Sequence, residues 1–495
     1  MTHRRFIALV FLLALALRLV PVLLSYDLPI GLDDMFQYDM LARSIVAGNG
    51  YRWYAERDLA LIEPYISMDR PADYDPRGVP TSFRAPGYPA FLALIYAISG
   101  VGPYRFFAAR LVQALLGATL APLSWALARR AGFREKTARW TAAIMAIFPL
   151  LLVYPLALAS ENLFVPLLVL ALVLTLRAGE YGRARDHALA GLVLGLAALT
   201  RSIVTAFVPL AALWAFWTAR SDGFSRPAPP ATKVATTNDR LPEKTRAGLR
   251  NGALLILCFL LVTVPWAARN TRLHGRPTWV ETSLGYNLYV GYHPRSTGTF
   301  QYGISLDLLP ILDDRERDVQ GIEAFWRFVR ADPGRVPYLM VRKAGYLWEL
   351  DSRALIYFYG NGFLGRWPGW LLGSALLLTW GPLIALAPAA AAGLACGRLD
   401  RRTALVVLLV ACYTLLHMLI MAEPRFHVPL LPVVATLAAY AFVERPWRAS
   451  RAWQRGPAAL LIALLFVNWG LELVRDHRTL LALFGPDGTR LGLPY

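Results

Sequence analysis

The chain has 495 residues, of which 56% are hydrophobic and only 17% charged, with a mean hydropathy of +0.43. That composition excludes an ordinary soluble domain and points to many membrane-spanning helices. The formal net charge of +18 does not indicate nucleic acid, because the arginines cluster in short loops between apolar runs, the pattern that orients a membrane protein.

Residues 1–24 combine a basic start with a long apolar run, and no small-residue cleavage site follows before Tyr26 and Asp27. They predict a retained first helix with its basic end inside; Arg18, within it, is expected to snorkel to the surface. The next segment, GLDDMFQYDMLARSIVAGNGY, predicts a helix starting near Asp34 and stopping at Gly48 or Gly50. Asp34 and Tyr38 are four residues apart and share a face with Leu41 and Ile45. A carboxylate between apolar packing and the interface has its proton affinity raised by desolvation, which suits it to take a proton from a hydroxyl. The competing expectation is that Asp33 caps the helix and Asp34 is solvated in its first turn.

PGYPAFLALIYAISG, residues 86–100, is apolar but short. Counting it as a span would place the basic loop RRAGFREKTAR outside, so it is assigned to a helix in or near the outer interface. The first outer loop then runs from 25 to 103. Arg84 stands where this loop turns into that helix, with Pro86 and Pro89 stiffening the turn.

Apolar runs at 6–24, 104–128, 138–158, 162–176, 188–199, 203–218, 251–267, 368–394, 404–421, 428–443 and 457–474 predict about eleven membrane segments. With Arg4 and Arg5 inside, every successive inside loop is basic. Glu161, after Ser160, opens the fourth run at its outer end, either as a helix-end acid or as a second acid facing an outer cavity. Arg201 follows too few apolar residues to have crossed and is expected at a helix break, where a lipid phosphate is a natural partner. Residues 221–250 are rich in Pro, Ala and Thr and predict a flexible cytoplasmic linker between an N-terminal module, 1–220, and a C-terminal module, 251–495.

The second outer segment, 268–366, carries GYNLYVGYHPRSTG and an amphipathic stretch, VQGIEAFWRFVRADP, at a Tyr and Trp density that suits an interface. Arg425, in EPRFHVPLLP, lies in a tight outer turn beside Glu423 and His427. A guanidinium binds phosphate bidentately and keeps its proton, so Arg84 and Arg425 are candidates for a phosphate leaving group. His417 and His427 read as packed or solvated. Cys258, Cys396 and Cys412 show neither metal-ligand spacing nor a disulfide framework.

The order Asp34, Tyr38, Ala42 and GNGY, then FRAPGYPAFLALIY, SENLF, GLAALTR, GYNLYVGYHPRSTG and EPRFHVPLLP resembles the GT-C membrane glycosyltransferases. More narrowly it is similar to glycosyltransferase family 39, the protein O-mannosyltransferases and the aminoarabinose transferase of lipid A. The resemblance covers nearly the whole chain. It implies an all-α polytopic GT-C fold with interfacial helices in the first and a late outer loop, in a bacterial inner membrane with the active site facing outward. It also implies inverting transfer of a sugar from a polyprenyl-phosphate donor to a hydroxyl or amine of a protein, lipid or glycan.

By the same resemblance Asp34 matches the first-loop catalytic aspartate, with Asp33 the neighbour able to replace it, and Glu161 matches the second outer acid. Arg84, Arg201 and Arg425, with Tyr38, Tyr88, Asn287 and Tyr289 from the quoted motifs, are the expected donor-binding set. Phe83 stands where the aminoarabinose transferase has a glutamate, and Ala85 where it has a proline, so the resemblance carries no metal ligand to position 83 and leaves a divalent metal open; no cofactor is implied. Two other classes compete. A lipid-linked sugar transporter should show repeated halves, which are not found. A polysaccharide polymerase or ligase should carry its decisive residues in a large late loop, whereas here the strongest acids are in the first.

Overall fold

The computed structural model describes residues 2–70, 72–220, 240–350, 352–397 and 399–491. Among these, nine helices are long and apolar enough to cross a membrane: His3–Leu24, Arg105–Arg130, Glu161–Tyr181, Ser202–Ala219, Glu243–His274, Gly369–Cys396, Arg401–Leu419, Pro424–Glu444 and Ala452–Leu483. Glu135–Ile147 and Pro149–Leu156, bent by 50°, make a tenth if taken as one span. The remaining apolar run is Ala184–Thr200. Its 17 residues rise about 25 Å, short of a hydrocarbon core of about 30 Å. Each of the eleven expected segments is therefore helical, but nine or ten meet the length of a span, because Arg201 ends this one early.

The protein is an integral membrane protein and almost wholly α-helical. Among the described residues the paired strands are two residues each, Arg52–Trp53 antiparallel to Val79–Pro80. Gly87–Ser99 is a 13-residue apolar helix, too short to cross. Of the tract 221–250 expected as a linker, residues 221–239 lie outside the described residues. Residues 240–250 instead begin the helix Arg240–His274; their one proline, Pro242, falls in the first turn, where proline is tolerated, and Leu, Glu, Lys and Arg are good helix formers.

Arg18 corrects a second expectation. It does not snorkel but is fully buried, donating to the carbonyls of Ala14 (3.0 Å), Met145 (3.0 Å) and Ala146 (3.2 Å). Pro149 has no N–H, so the carbonyl of Met145 lacks its helical donor at the bend; the guanidinium supplies it.

Residues of the first loop, the turn before Glu161, the Arg201 break, the stretch 279–309 and the turn before Arg425 gather at one end of the helices, around a common cavity. The opposite ends are tied together separately: the amide of Arg134 donates to Glu444 (3.1 Å), and the Trp214 indole donates to the Arg401 carbonyl (2.6 Å).

Candidate functional site

Buried polar side chains on the Arg105–Ala118 helix hold the first loop to the bundle. Arg110, fully buried, donates to the carbonyls of Leu28 (2.5 Å), Pro29 (3.1 Å) and Leu156 (2.8 Å). Gln113, one turn on, donates to those of Pro155 (2.9 Å) and Ala157 (3.2 Å). The stretch leading to Asp33 and the turn leading to Glu161 thus hang on one helix.

Asp33 caps the helix Asp34–Val46: its Oδ1 accepts from the Met35 amide at 2.8 Å, and its Oδ2 accepts from the Tyr357 hydroxyl at 2.5 Å. The body of this helix is fixed through buried Asp39, which pairs with Arg43 (2.7 Å) and Arg105 (2.8 Å). The backbone before Arg84 is pinned too. Asp314 accepts from the Thr81 hydroxyl and the Ser82 amide, both at 2.6 Å, and the Tyr51 hydroxyl donates to the Arg84 carbonyl at 2.8 Å.

So held, the Arg84 guanidinium pairs with Asp34 Oδ1 and donates to Gln37 Oε1 at 2.8 Å. From the far half of the chain, Arg425 Nη2 donates to Asp34 Oδ2 at 2.9 Å, while its Nε lies 2.9 Å from Glu423 Oε2. Asp34 is clamped between two guanidinium groups. A second pair stands nearby: Arg201, at the break after Ala184–Thr200, donates to Glu161 Oε1 at 2.6 Å and to the Ser160 hydroxyl at 3.3 Å. Ser160 makes no side-chain cap; its hydroxyl serves this ion pair. The Phe426 ring lies 5.2 Å from the Arg201 guanidinium carbon and 5.6 Å from that of Arg425, bridging the two by cation–π contact.

Apart from Glu423, which is fully buried behind Arg425, these groups face one cavity of about 990 Å³. Its wall includes Asp33, Asp34, Tyr38, Arg84, Glu161, Arg201, Asn287 and Arg425, eight of the ten residues singled out in the sequence. Tyr88 and Tyr289 do not line it. Tyr88 is fully buried, its hydroxyl bonded to Gln113 and its ring edge-on to Tyr38 at 4.9 Å, and the Tyr289 hydroxyl donates to Asp307 at 2.9 Å. Glu281, Tyr286 and Tyr357 line the cavity and were not anticipated. Glu281 carried a usable signal, an acid in WVETS just before the aromatic GYNLYVG motif; Tyr357 carried none.

Burial pushes the Asp34 carboxyl up, but Arg84 and Arg425 outweigh it and hold it at about 2. Asp34 therefore lacks the raised proton affinity expected from desolvation, because the two guanidinium groups beside it outweigh the cost of burial. Asp33 goes the other way: burial, reinforced by the charge of Asp34, pushes its carboxyl up against the hydrogen bond from Tyr357. Burial also raises the Tyr38 phenol, which stays a neutral donor. The clamp can accept an external anion in competition with Asp34, and Asp33 offers a carboxyl closer to protonation. Among the described residues no three His, Cys, Asp or Glu side chains are grouped to hold a metal ion. With Asp34 already bridged by two cations, the residues present do not fit a divalent metal.

A bundle of apolar helices gathering charged side chains into a cavity at one end is the architecture of the GT-C membrane glycosyltransferases, and the fold is theirs. Residues 83–234 match the family model described as dolichyl-phosphate-mannose-protein mannosyltransferase, a stretch holding Arg84, Glu161 and Arg201. The apo oligosaccharyltransferase of Archaeoglobus fulgidus is similar over 100% of this chain at a TM-score of 0.51 and 15% identity. This chain spans 56% of that enzyme's length. The same archaeal enzyme, AglB, in complex with an inhibitory peptide and a dolichol-phosphate, matches at a TM-score of 0.45 and 14% identity, over 96% of this chain and 58% of its own. ArnT from Cupriavidus metallidurans, bound to undecaprenyl phosphate, matches at 0.38 and 17% identity, over 96% and 81%. No curated protein sequence matches the chain.

Proposed function

We propose that the protein is an inverting glycosyltransferase that takes a sugar from a polyprenyl-phosphate donor and passes it to an acceptor hydroxyl or amine on the extracytoplasmic face of the membrane. The observation that carries this reading is the Asp34 carboxylate held between Arg84 and Arg425 on the wall of a large cavity at one end of the spans. The shared GT-C fold supports it, as does the match to a family described by a dolichyl-phosphate-linked sugar.

A donor phosphate entering the cavity draws Arg84, Arg425 and Arg201 toward its oxygens, where fixed cations stabilise the charge that develops as it leaves. The acceptor oxygen attacks the anomeric carbon from the opposite face. The carbon–oxygen bond to phosphate breaks with its electron pair on phosphate, and the acceptor proton passes to a carboxylate. Asp34 is that carboxylate in this reading, regaining basicity as the guanidinium groups turn to phosphate, with Asp33 the neighbour able to take its place.

Membranes holding the protein, incubated with radiolabelled polyprenyl-phosphate sugars and acceptor extracts, test this. Wild type should transfer label, Asp34→Asn should abolish transfer at undiminished protein level, and Arg84→Ala or Arg425→Ala should lower kcat/KM for the donor about 100-fold. Full turnover by Asp34→Asn removes its role; no consumption of any donor removes the reading.

A further inference from the structure

Resting on that reading, we infer that the acceptor is an uncharged carbohydrate, seated on the stretch of cavity wall that presents Trp279, Glu281 and Asn287. The first argument is electrostatic. Among the described residues three guanidinium groups and four carboxylates line the cavity: Arg84, Arg201 and Arg425 against Asp33, Asp34, Glu161 and Glu281. Each guanidinium already has a carboxylate partner, and the donor phosphate competes for the same three. An acceptor bearing its own phosphate or carboxylate would find no further cation there and would face acids instead.

The second argument is what this wall leaves unused. Glu281 accepts from the Ser202 hydroxyl and forms no ion pair among the described residues, so most of its lone pairs are open. The half-buried Asn287 carboxamide has no hydrogen-bond partner among the described residues and faces the cavity. The Trp279 ring, on the same wall, is 37% exposed. A carboxylate that takes hydroxyl protons, a carboxamide that both gives and takes, and an indole face for the apolar C–H side match a sugar ring group by group.

The third argument is rigidity. The carbonyls of Trp279 and Val280 accept from Asn270 Nδ2 at 2.8 and 3.0 Å, the Trp266 indole donates to the Val280 carbonyl at 2.9 Å, and the Thr282 amide donates to the Ser82 carbonyl at 3.0 Å. The wall is preorganised rather than a loop that must order on binding.

Purified full-length protein in nanodiscs, probed by saturation-transfer NMR, tests the inference. The probes are neutral hexose tetrasaccharides, a glucosamine tetrasaccharide, a Ser/Thr peptide and a phosphorylated disaccharide. A neutral tetrasaccharide should bind, and Glu281→Gln and Asn287→Ala should each weaken it at least tenfold. Glu281→Gln should still bind a polyprenyl phosphate within twofold of wild type. The inference falls if no neutral probe binds, if its binding is indifferent to both substitutions, or if the peptide, the aminosugar or the phosphorylated probe takes the Asn287-dependent site. Failure of the transferase reading is separate: it shows as polyprenyl-phosphate binding unchanged by Arg84→Ala and Arg425→Ala, whatever the sugars do.

Discussion

Two adjacent carboxyls, Asp33 and Asp34, are driven apart by what stands beside them, one by burial and a like charge, the other by two guanidinium groups. The stability consequences have opposite signs. Asp34 drops on folding from its ordinary 3.8 to about 2, so it stabilises the fold above pH 3.8 and that contribution disappears as pH falls through about 2. Asp33 is raised, so its ionised form costs stability above its ordinary value. Asp34→Asn should therefore lower the Tm at pH 7, with the deficit closing as pH approaches 2. Asp33→Asn should not lower it at pH 7, since asparagine caps a helix as well as aspartate. Thermal unfolding of detergent-solubilised protein across pH checks both; equal losses at neutral pH would contradict the assignment. The sequence marked both residues as an acid pair opening an interfacial helix, yet the partners of Asp34 lie 50 and 391 residues away, and no local pattern reports them.

Elements are legible where their signals are local and misread where a distant side chain intervenes. The start of the Asp34–Val46 helix and the shortness of Gly87–Ser99 follow from capping and from run length. Arg18 was misread because the bend that consumes its donors is more than 120 residues away. Arg18→Met should cost about 1 to 3 kcal/mol by leaving buried carbonyls without donors, whereas Arg4→Gln, at the exposed start of the same helix, should change stability by less than about 0.5 kcal/mol; denaturation in detergent compares them. A second case is the crossing of Leu284–Tyr292 with Asp314–Ala331, where Gly285 and Gly321 meet so closely that a Cβ on either would strike the other helix's backbone. Gly321→Leu should displace the helix that carries Asn287 and raise the acceptor KM more than the donor KM.

For the whole molecule, alternating basic loops predict one orientation, with the cavity end outside. Tyr65, on the cavity wall and 71% exposed, and Leu399, near the opposite end and 73% exposed, report it. In a background lacking Cys258, Cys396 and Cys412, an impermeant maleimide on intact cells should label Tyr65→Cys and reach Leu399→Cys only after permeabilisation. The reverse pattern would invert the topology and remove the extracytoplasmic site.

Hydropathy and helix-end chemistry act over a few turns of chain, and so the residue order by itself determined a membrane protein, the position of its membrane helices and the charged positions worth watching. Only the tertiary structure decided which charges meet, that Asp34 rests as a clamped anion, that Tyr88 and Tyr289 stand off the wall, and that Glu281 stands on it. Those outcomes depend on Coulombic and hydrogen-bond partners supplied by packing between remote segments, whose distances no reading along the chain contains.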